Sequence, residues 1–297
     1  MPFPYMSPRP GIWGASSTTT RVLNRMLATD SRKVFLDESI ASGKKRYRTC
    51  LITPFAGKSY CFDKYMRGIK TIPTEDVALI AYDNSNSKRF RSRLRQALRL
   101  RFRRSTWLTD ENPNYTVETT DEYELINRRT FEIYRQVLRF IPTCDYVLIV
   151  EDDIEMPPGA YEKMISSLER YPNLATVVAH VNNRRPLDQF DDGRELPIIW
   201  DAIEERNLAS GRVDVHMIPF TETKNFGLEA VGSAHTGCWM TRYSVLKKLG
   251  FTWNEDGIKF VDQAWGYRLN KLGYKMAVDW SIKCKHYALQ EGKVRAY

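Results

Sequence analysis

Three consecutive acids, Glu151-Asp152-Asp153, follow the apolar run Tyr146 to Val150 (YVLIV) without a spacer. Carboxylates at the end of a buried strand lose solvation unless a cation compensates them, and a divalent metal held by oxygen ligands is the usual compensation. A second acid, Asp83, ends the run Val77 to Tyr82 (VALIAY) and opens the turn-forming cluster Asp83-Asn84-Ser85-Asn86-Ser87. In an open α/β sheet ligands sit beyond the carboxyl ends of strands, where both acidic positions fall. The bland alternatives are local: the trio could cap the next helix, and Asp83 could close an Asx turn on its own backbone.

A different chemistry is suggested by Lys88, Arg89, Arg91, Arg93, Arg95, Arg99, Arg101, Arg103 and Arg104, nine cations with no acid among them in a chain of net charge +9. Such a local field attracts phosphates of a nucleic acid, an anionic membrane or a nucleotide. Trp107 stands beside the run as a candidate stacking aromatic.

The elements that must position these groups follow from periodicity. Thr49 to Thr53 reads as a strand broken at Pro54 to Gly57, with a helix resuming over Tyr60 to Ile69. The arginine run fits a helix over 88–104, closed by a loop at 108–119. A 3–4 spacing from Leu125 to Ile141, with Asp121 and Glu124 as a capping box, predicts a long helix over about 121–141. Tyr146 to Val150, apolar without alternation, is a strand covered on both faces. Pro157-Pro158-Gly159 open a helix to about Arg170, and Ala175 to Val181 is the next strand. After an irregular stretch from Asn182 to Ala230, which suits a substrate-covering excursion, order returns as a strand over Gly237 to Thr241, helices over Tyr243 to Leu249 and Asp262 to Leu272, and a final strand at Met276 to Val278.

With 297 residues, 42% of them hydrophobic and 12% aromatic, the chain suits one large α/β domain or two joined lobes, without repeats. The expected division is an N-terminal arm over 1–45, a nucleotide-binding half over 46–181 that includes the basic helix, and an acceptor-binding, catalytic half over 182–297. No apolar run reaches the roughly 18 residues that span a bilayer, and the first residues carry no secretory pattern, so the expectation is a cytoplasmic protein, in the host cytoplasm if a virus encodes it. Cys50, Cys61, Cys144, Cys238 and Cys284 are odd in number and widely spaced, as reduced core thiols would be. A phosphate loop G-x-x-x-x-G-K-[ST], a G-x-G-x-x-G turn and a G-x-S-x-G elbow are all absent, which removes support from ATPase, dehydrogenase and hydrolase readings.

In order along 49–287, four segments resemble the family 2 glycosyltransferases and their relatives of the GT-A fold: TCLITPF, VALIAYDNSNS, YVLIVEDDIEMPPGAY with its D-x-D-like acids, and GFTWNEDGIKFVDQAWGYRLNKLGYKMAV. The resemblance implies a mostly parallel, doubly wound sheet with helices on both faces. It implies a metal-dependent, inverting transfer of a sugar from a nucleotide diphosphate, a UDP-sugar being the expected donor, to an acceptor hydroxyl. Asp153 would bind Mn2+ or Mg2+ on the donor phosphates, with His286 matching a late histidine that ligates the metal in some relatives. Glu151, where the family usually has Asp, or Asp152 would hold the ribose or a metal-bound water. Asp83 would accept hydrogen bonds from the nucleobase, Thr53 and Pro54 would line the same cleft, and Arg128 would stand near the donor. Asp262, otherwise the cap of its helix, becomes the candidate base, and His235, in the loop GSAHTG, borders the acceptor; His180 and His216 read as structural. Three acceptor readings stay open: a hydroxymethylated base in DNA tracked by Arg91, Arg95, Arg99, Arg103 and Trp107; a soluble or membrane-associated glycan; and a catalytically silent nucleic-acid-binding protein on the same scaffold.

Overall fold

The computed structural model describes residues 33–35, 46–109, 120–182, 199–200, 223–251, 258, 260–290 and 292–296. Most of the expected arm and most of the 182–230 excursion, His216 included, lie outside the described residues. The order is β1 (Lys33–Phe35), β2 (Tyr47–Phe55), α1 (Phe62–Ile69), β3 (Val77–Asp83), α2 (Lys88–Arg101), β4 (Ser105–Thr109), α3 (Thr120–Val137), β5 (Cys144–Val150), β6 (Ile154–Glu155), α4 (Ala160–Arg170) and β7 (Leu174–His180). There follow β8 (Ile199–Trp200), β9 (Leu228–Val231), β10 (Ser233–Ala234), β11 (Cys238–Arg242), α5 (Tyr243–Leu249), α6 (Val261–Lys271), β12 (Lys275–Lys283), β13 (Lys285–Gln290) and β14 (Lys293–Ala296).

Nine strands form one sheet in the order β1-β4-β3-β2-β5-β11-β7-β12-β9, to which both expected halves contribute. Strands β4, β3, β2 and β5 are mutually parallel. Antiparallel β11 then enters between β5 and β7, and β12 runs parallel to β7. The α/β class with helices on both faces therefore stands, on a sheet that is parallel in its first half and mixed in its second. Alternation in β2, β3 and β5 divides the core: Leu51, Leu79 and Leu148 face α1, α2 and α4, while Ile52, Ile80 and Ile149 face α3, α5 and α6. Every residue of β3 is buried, which explains the apolar run that leads up to Asp83.

Three elements differ from the sequence expectation. Pro54 does not end β2, because β5 pairs with it only as far as Ile52 and the missing N–H falls beyond that pairing. Helix α2 stops at Arg101, three residues short of expectation, and Ser105–Thr109, which include the first two residues of the expected loop, form the buried strand β4, whose Thr and Trp residues favour strand over turn. Beyond Val278, β12 continues to Lys283 and two further strands follow, β13 joining β14 and β6 in a small three-stranded sheet. Cys50, Cys61, Cys144, Cys238 and Cys284 are all free and buried. Among the described residues no helix is long and apolar enough to cross a membrane.

Candidate functional site

Because β2, β3, β4 and β5 run parallel, their last residues share one edge, with Phe55, Asp83 and Thr109 side by side in register. Antiparallel β11 brings its first residue to that edge, pairing Cys238 with Val150. The acids after β5 thus meet the loop after β2 and the turn before β11. Glu151 N–H donates to Gly237 O at 2.8 Å, and Thr236 Oγ1 donates to Glu151 Oε1 at 2.9 Å. Asp152 Oδ2 accepts from Ala56 N at 2.8 Å. Asp152 and Asp153 are buried, and burial pushes the Asp152 carboxyl above its ordinary range, as it does that of Glu151, where the charge of Asp153 adds to the effect.

Asp153 and His286 are brought together as the resemblance implies. Tyr287 N–H donates to Asp153 O at 2.9 Å, aligning β13 with the acids, and His286 Nε2 lies 3.3 Å from Asp153 Oδ2. His286 Nδ1 is 2.9 Å from the carbonyl of Asn182, which can only accept, so Nδ1 carries the proton. Its other nitrogen, Nε2, faces the carboxylate, so that an imidazole nitrogen and a carboxylate oxygen, two common ligand types for a divalent cation, converge on one point. Among the described residues no group of three or more His, Cys, Asp or Glu side chains forms a closed metal cage. A carboxylate and an imidazole fit instead an ion such as Mn2+ or Mg2+ that completes its shell with water and substrate phosphate oxygens.

Asp83 is fully buried at the end of β3. Its Oδ1 accepts from Ser85 N at 3.0 Å, the Asx turn, while Oδ2 accepts no hydrogen bond among the described residues and has Arg91 Nε at 3.7 Å. Turn and ligand contact are therefore compatible, one oxygen serving each. Thr53 lies behind this edge with its hydroxyl 2.7 Å from Tyr65 Oη, and Pro54 is half-buried one residue closer to the opening. Arg128 is half-buried on α3, where the neighbouring Arg129 donates to Tyr82 Oη at 3.2 Å.

Asp262 lies in the first turn of α6. Its Oδ1 accepts from Gln263 N at 2.8 Å, and its carbonyl accepts from Ser233 Oγ at 2.7 Å. Burial pushes its carboxyl up to about 7, the charge of Glu151 adding to the effect. A carboxyl poised there can take a proton near neutral pH.

His235 and Trp107 depart from expectation. His235 is buried, with Nε2 donating to Ala179 O at 3.0 Å and Nδ1 accepting from Gly237 N at 2.9 Å, and burial lowers its pKa to about 3. Both nitrogens serve the turn that carries Thr236 and Gly237 to Glu151, which makes it a scaffold for the acid rather than an acceptor contact. Trp107 is 1% exposed within β4 and donates to Ser105 Oγ, so no base can stack on it.

Helix α2 buries Phe90, Leu94 and Leu98 and is capped by Ser87 Oγ, which accepts from Phe90 N. The chain itself answers part of its charge. Arg91 approaches Asp83, Arg93 pairs with Asp63 at 2.6 Å, Arg95 donates to Thr109 Oγ1, and Arg101 donates to the carbonyls of Ile69, Lys70 and Ile72 at the end of α1. Lys88, Arg89, Arg99 and Arg103 are exposed, and a cavity of 680 Å³ is lined by Lys88, Arg91, Arg95 and Arg99 among others.

No protein-family model matches the chain, and no curated protein matches it in sequence. Solved structures do resemble it. A mannosyltransferase from Pyrobaculum calidifontis, in complex with GDP-Man and Mn2+, is 14% identical with a TM-score of 0.48, over 88% of this chain and 63% of that one. A protein from STIV is 10% identical with a TM-score of 0.39, over 84% and 93%. Residues 1–349 of S. aureus TarS are 10% identical with a TM-score of 0.46, over 78% and 57%. This chain thus spans less than two thirds of the mannosyltransferase and of the TarS fragment. At such values the likeness is one of layout, and the chemistry has to come from this chain's own residues.

One residue at the site was not singled out from sequence. Lys58 places its ammonium 2.7 Å from Asp153 Oδ2 and 3.2 Å from Asp152 Oδ1. The available signal was a lysine just past the first strand of a parallel sheet, on the edge where the acids of a neighbouring strand must emerge.

Proposed function

We propose that this chain is a divalent-metal-dependent glycosyltransferase that moves a sugar from a nucleoside diphosphate to an acceptor hydroxyl with inversion at the anomeric carbon. The observation that carries this reading is the buried pair of Asp153 and His286, whose carboxylate oxygen and imidazole nitrogen converge within 3.3 Å at the strand edge where ligands bind, a donor set that suits a divalent cation. Asp153 and His286 would hold the metal, which when bound neutralises charge on the departing diphosphate. Asp83 would receive the nucleobase on Oδ2. A buried carboxylate oxygen favours bases with an imino N–H, uracil and guanine, over cytosine and adenine, which present a lone pair there.

Asp262 would take the proton of the acceptor hydroxyl as its oxygen bonds to the anomeric carbon and the bond to the phosphate oxygen breaks, the electron pair leaving with the nucleoside diphosphate. That single displacement inverts the carbon. For the acceptor, Lys88, Arg99 and Arg103 offer an exposed cationic flank to a polyanion, which supports a hydroxyl on DNA; a glycan remains the competing acceptor. Calorimetry with nucleoside diphosphates and Mn2+ tests the core of the proposal. UDP or GDP should bind only with metal present, and Asp153→Asn should lose both that binding and transfer. Binding that needs no metal and survives Asp153→Asn would overturn the assignment.

A further inference from the structure

Lys58 supports a second inference, which rests on the metal site proposed above. The loop after β2 turns at Gly57 with φ +79°, a left-handed conformation that glycine adopts without strain. The turn is tied down on both sides, by Ala56 N–H on Asp152 Oδ2 and by Cys61 N–H on Lys58 O at 2.9 Å. From this anchored loop the Lys58 ammonium lies 2.7 Å from Asp153 Oδ2, the same oxygen that faces His286 Nε2 at 3.3 Å. The Asp153 side chain is 1% exposed and that of Lys58 is 21% exposed, so the carboxylate is enclosed while the lysine keeps access to the opening. An ammonium at contact distance stands on the oxygen a divalent ion would need. Two cations on one buried oxygen repel each other strongly where the surroundings are poorly polarisable.

We propose that Lys58 is a tethered counter-ion that competes with the divalent metal for Asp153 and transfers to the donor's diphosphate when metal and nucleotide enter together. Without nucleotide the ammonium neutralises the buried acids and keeps metal affinity low. The diphosphate gives the displaced ammonium a new anionic partner, so each ligand favours the other, and the coupling is reciprocal. Lysine suits the task better than arginine, as a point charge on a four-carbon stem that can swing between oxygens without the fixed geometry of a guanidinium fork.

The test is calorimetric titration of Mn2+ into the full chain, alone and at saturating nucleoside diphosphate. Wild type should bind Mn2+ at least about tenfold more tightly with nucleotide than without, a coupling of about 1.4 kcal/mol. Lys58→Met, which keeps the stem and removes the charge, should bind Mn2+ alone at least tenfold more tightly than wild type, with most of the coupling to nucleotide gone. Lys58→Arg, which keeps the charge, should bind Mn2+ alone as weakly as wild type. A folded Lys58→Met whose affinity for Mn2+ alone is unchanged or weaker overturns the proposal, as does identical behaviour of the Met and Arg variants. If Lys58→Met fails to fold by circular dichroism, Lys58→Gln, which also removes the charge, takes its place under the same criterion. Competition is read from Mn2+ alone, whereas the glycosyltransferase reading fails separately, when wild type with Mn2+ binds no nucleoside diphosphate.

Discussion

Asp262 holds a carboxyl pushed up to about 7 by burial, far above the ordinary value of about 3.9 for aspartate. The native state therefore binds this proton more tightly than the unfolded chain. Below about pH 4 both states are protonated and the group is neutral in its effect. Between about 4 and 7 stability falls as pH rises, and above about 7 the penalty is complete. Asp262→Asn removes the ionisation while keeping an oxygen to accept from Gln263 N–H. Its melting temperature should exceed that of wild type at pH 8, with the gain vanishing near pH 4; an equal shift at both pH values would show that packing, not charge, is responsible. The same variant should lose turnover by roughly 10² to 10⁴ with nucleotide binding retained, and wild-type kcat/KM should rise through about pH 7. Near-normal turnover would remove Asp262 from the mechanism.

Helix α6 sets where that carboxyl stands. Gly266 lets it approach the chain at β10: a Cβ there would lie 2.2 Å from Gly232 O and 2.7 Å from Ser233 Cβ. Gly266→Ala should destabilise the protein by about 1–3 kcal/mol and, by pushing α6 away from Ser233, disturb the bond from Ser233 Oγ to Asp262 O. Denaturant unfolding gives the first quantity, and kcat at saturating donor gives the second; a variant normal in both would show that the helix accommodates the methyl. Elements were legible from sequence where an apolar run or period was bounded by turn-forming or charged residues. Helix α5 and strands β3, β5 and β7 fall close to where their patterns put them, and Asp83, Asp153 and Asp262 sit near element ends, where spacing could place them. His286, by contrast, stands in β13, a strand that was not expected, and was singled out through the family resemblance alone. What could not be read were contacts between segments far apart in the chain. The bond from His235 to Ala179 that makes this histidine structural, the burial of Trp107 in a five-residue strand, and the reach of Lys58 to the acids all depend on strand order, which periodicity does not encode.

At the scale of the whole molecule the net charge of +9 overstates what is available to a partner. Arg93 and Arg101 are engaged within the chain, with Arg91 and Arg95 turned toward the strand edge, whereas Arg99 and Arg103 face outward. Replacing Arg99 and Arg103 by Gln should leave folding intact and flatten the salt dependence of binding to duplex DNA by about 0.9 in log–log slope for each phosphate that is no longer neutralised. Arg101→Gln should act differently, lowering stability by stripping donors from three carbonyls without changing that slope. Wild-type protein that shows no salt-sensitive DNA binding, yet glycosylates a small glycan, would assign the acceptor to the glycan class.

The pairing of Lys58 with Asp152 and Asp153 also bears on the order in which a ribosome delivers this site. The ammonium is translated before the carboxylates it neutralises, and the imidazole of His286 long after them. Strands β2, β3 and β5 form a parallel unit whose side chains have all left the exit tunnel while β13 is still unmade. A nascent chain thus already owns the cation that answers its two acids when they emerge, long before the histidine has been made.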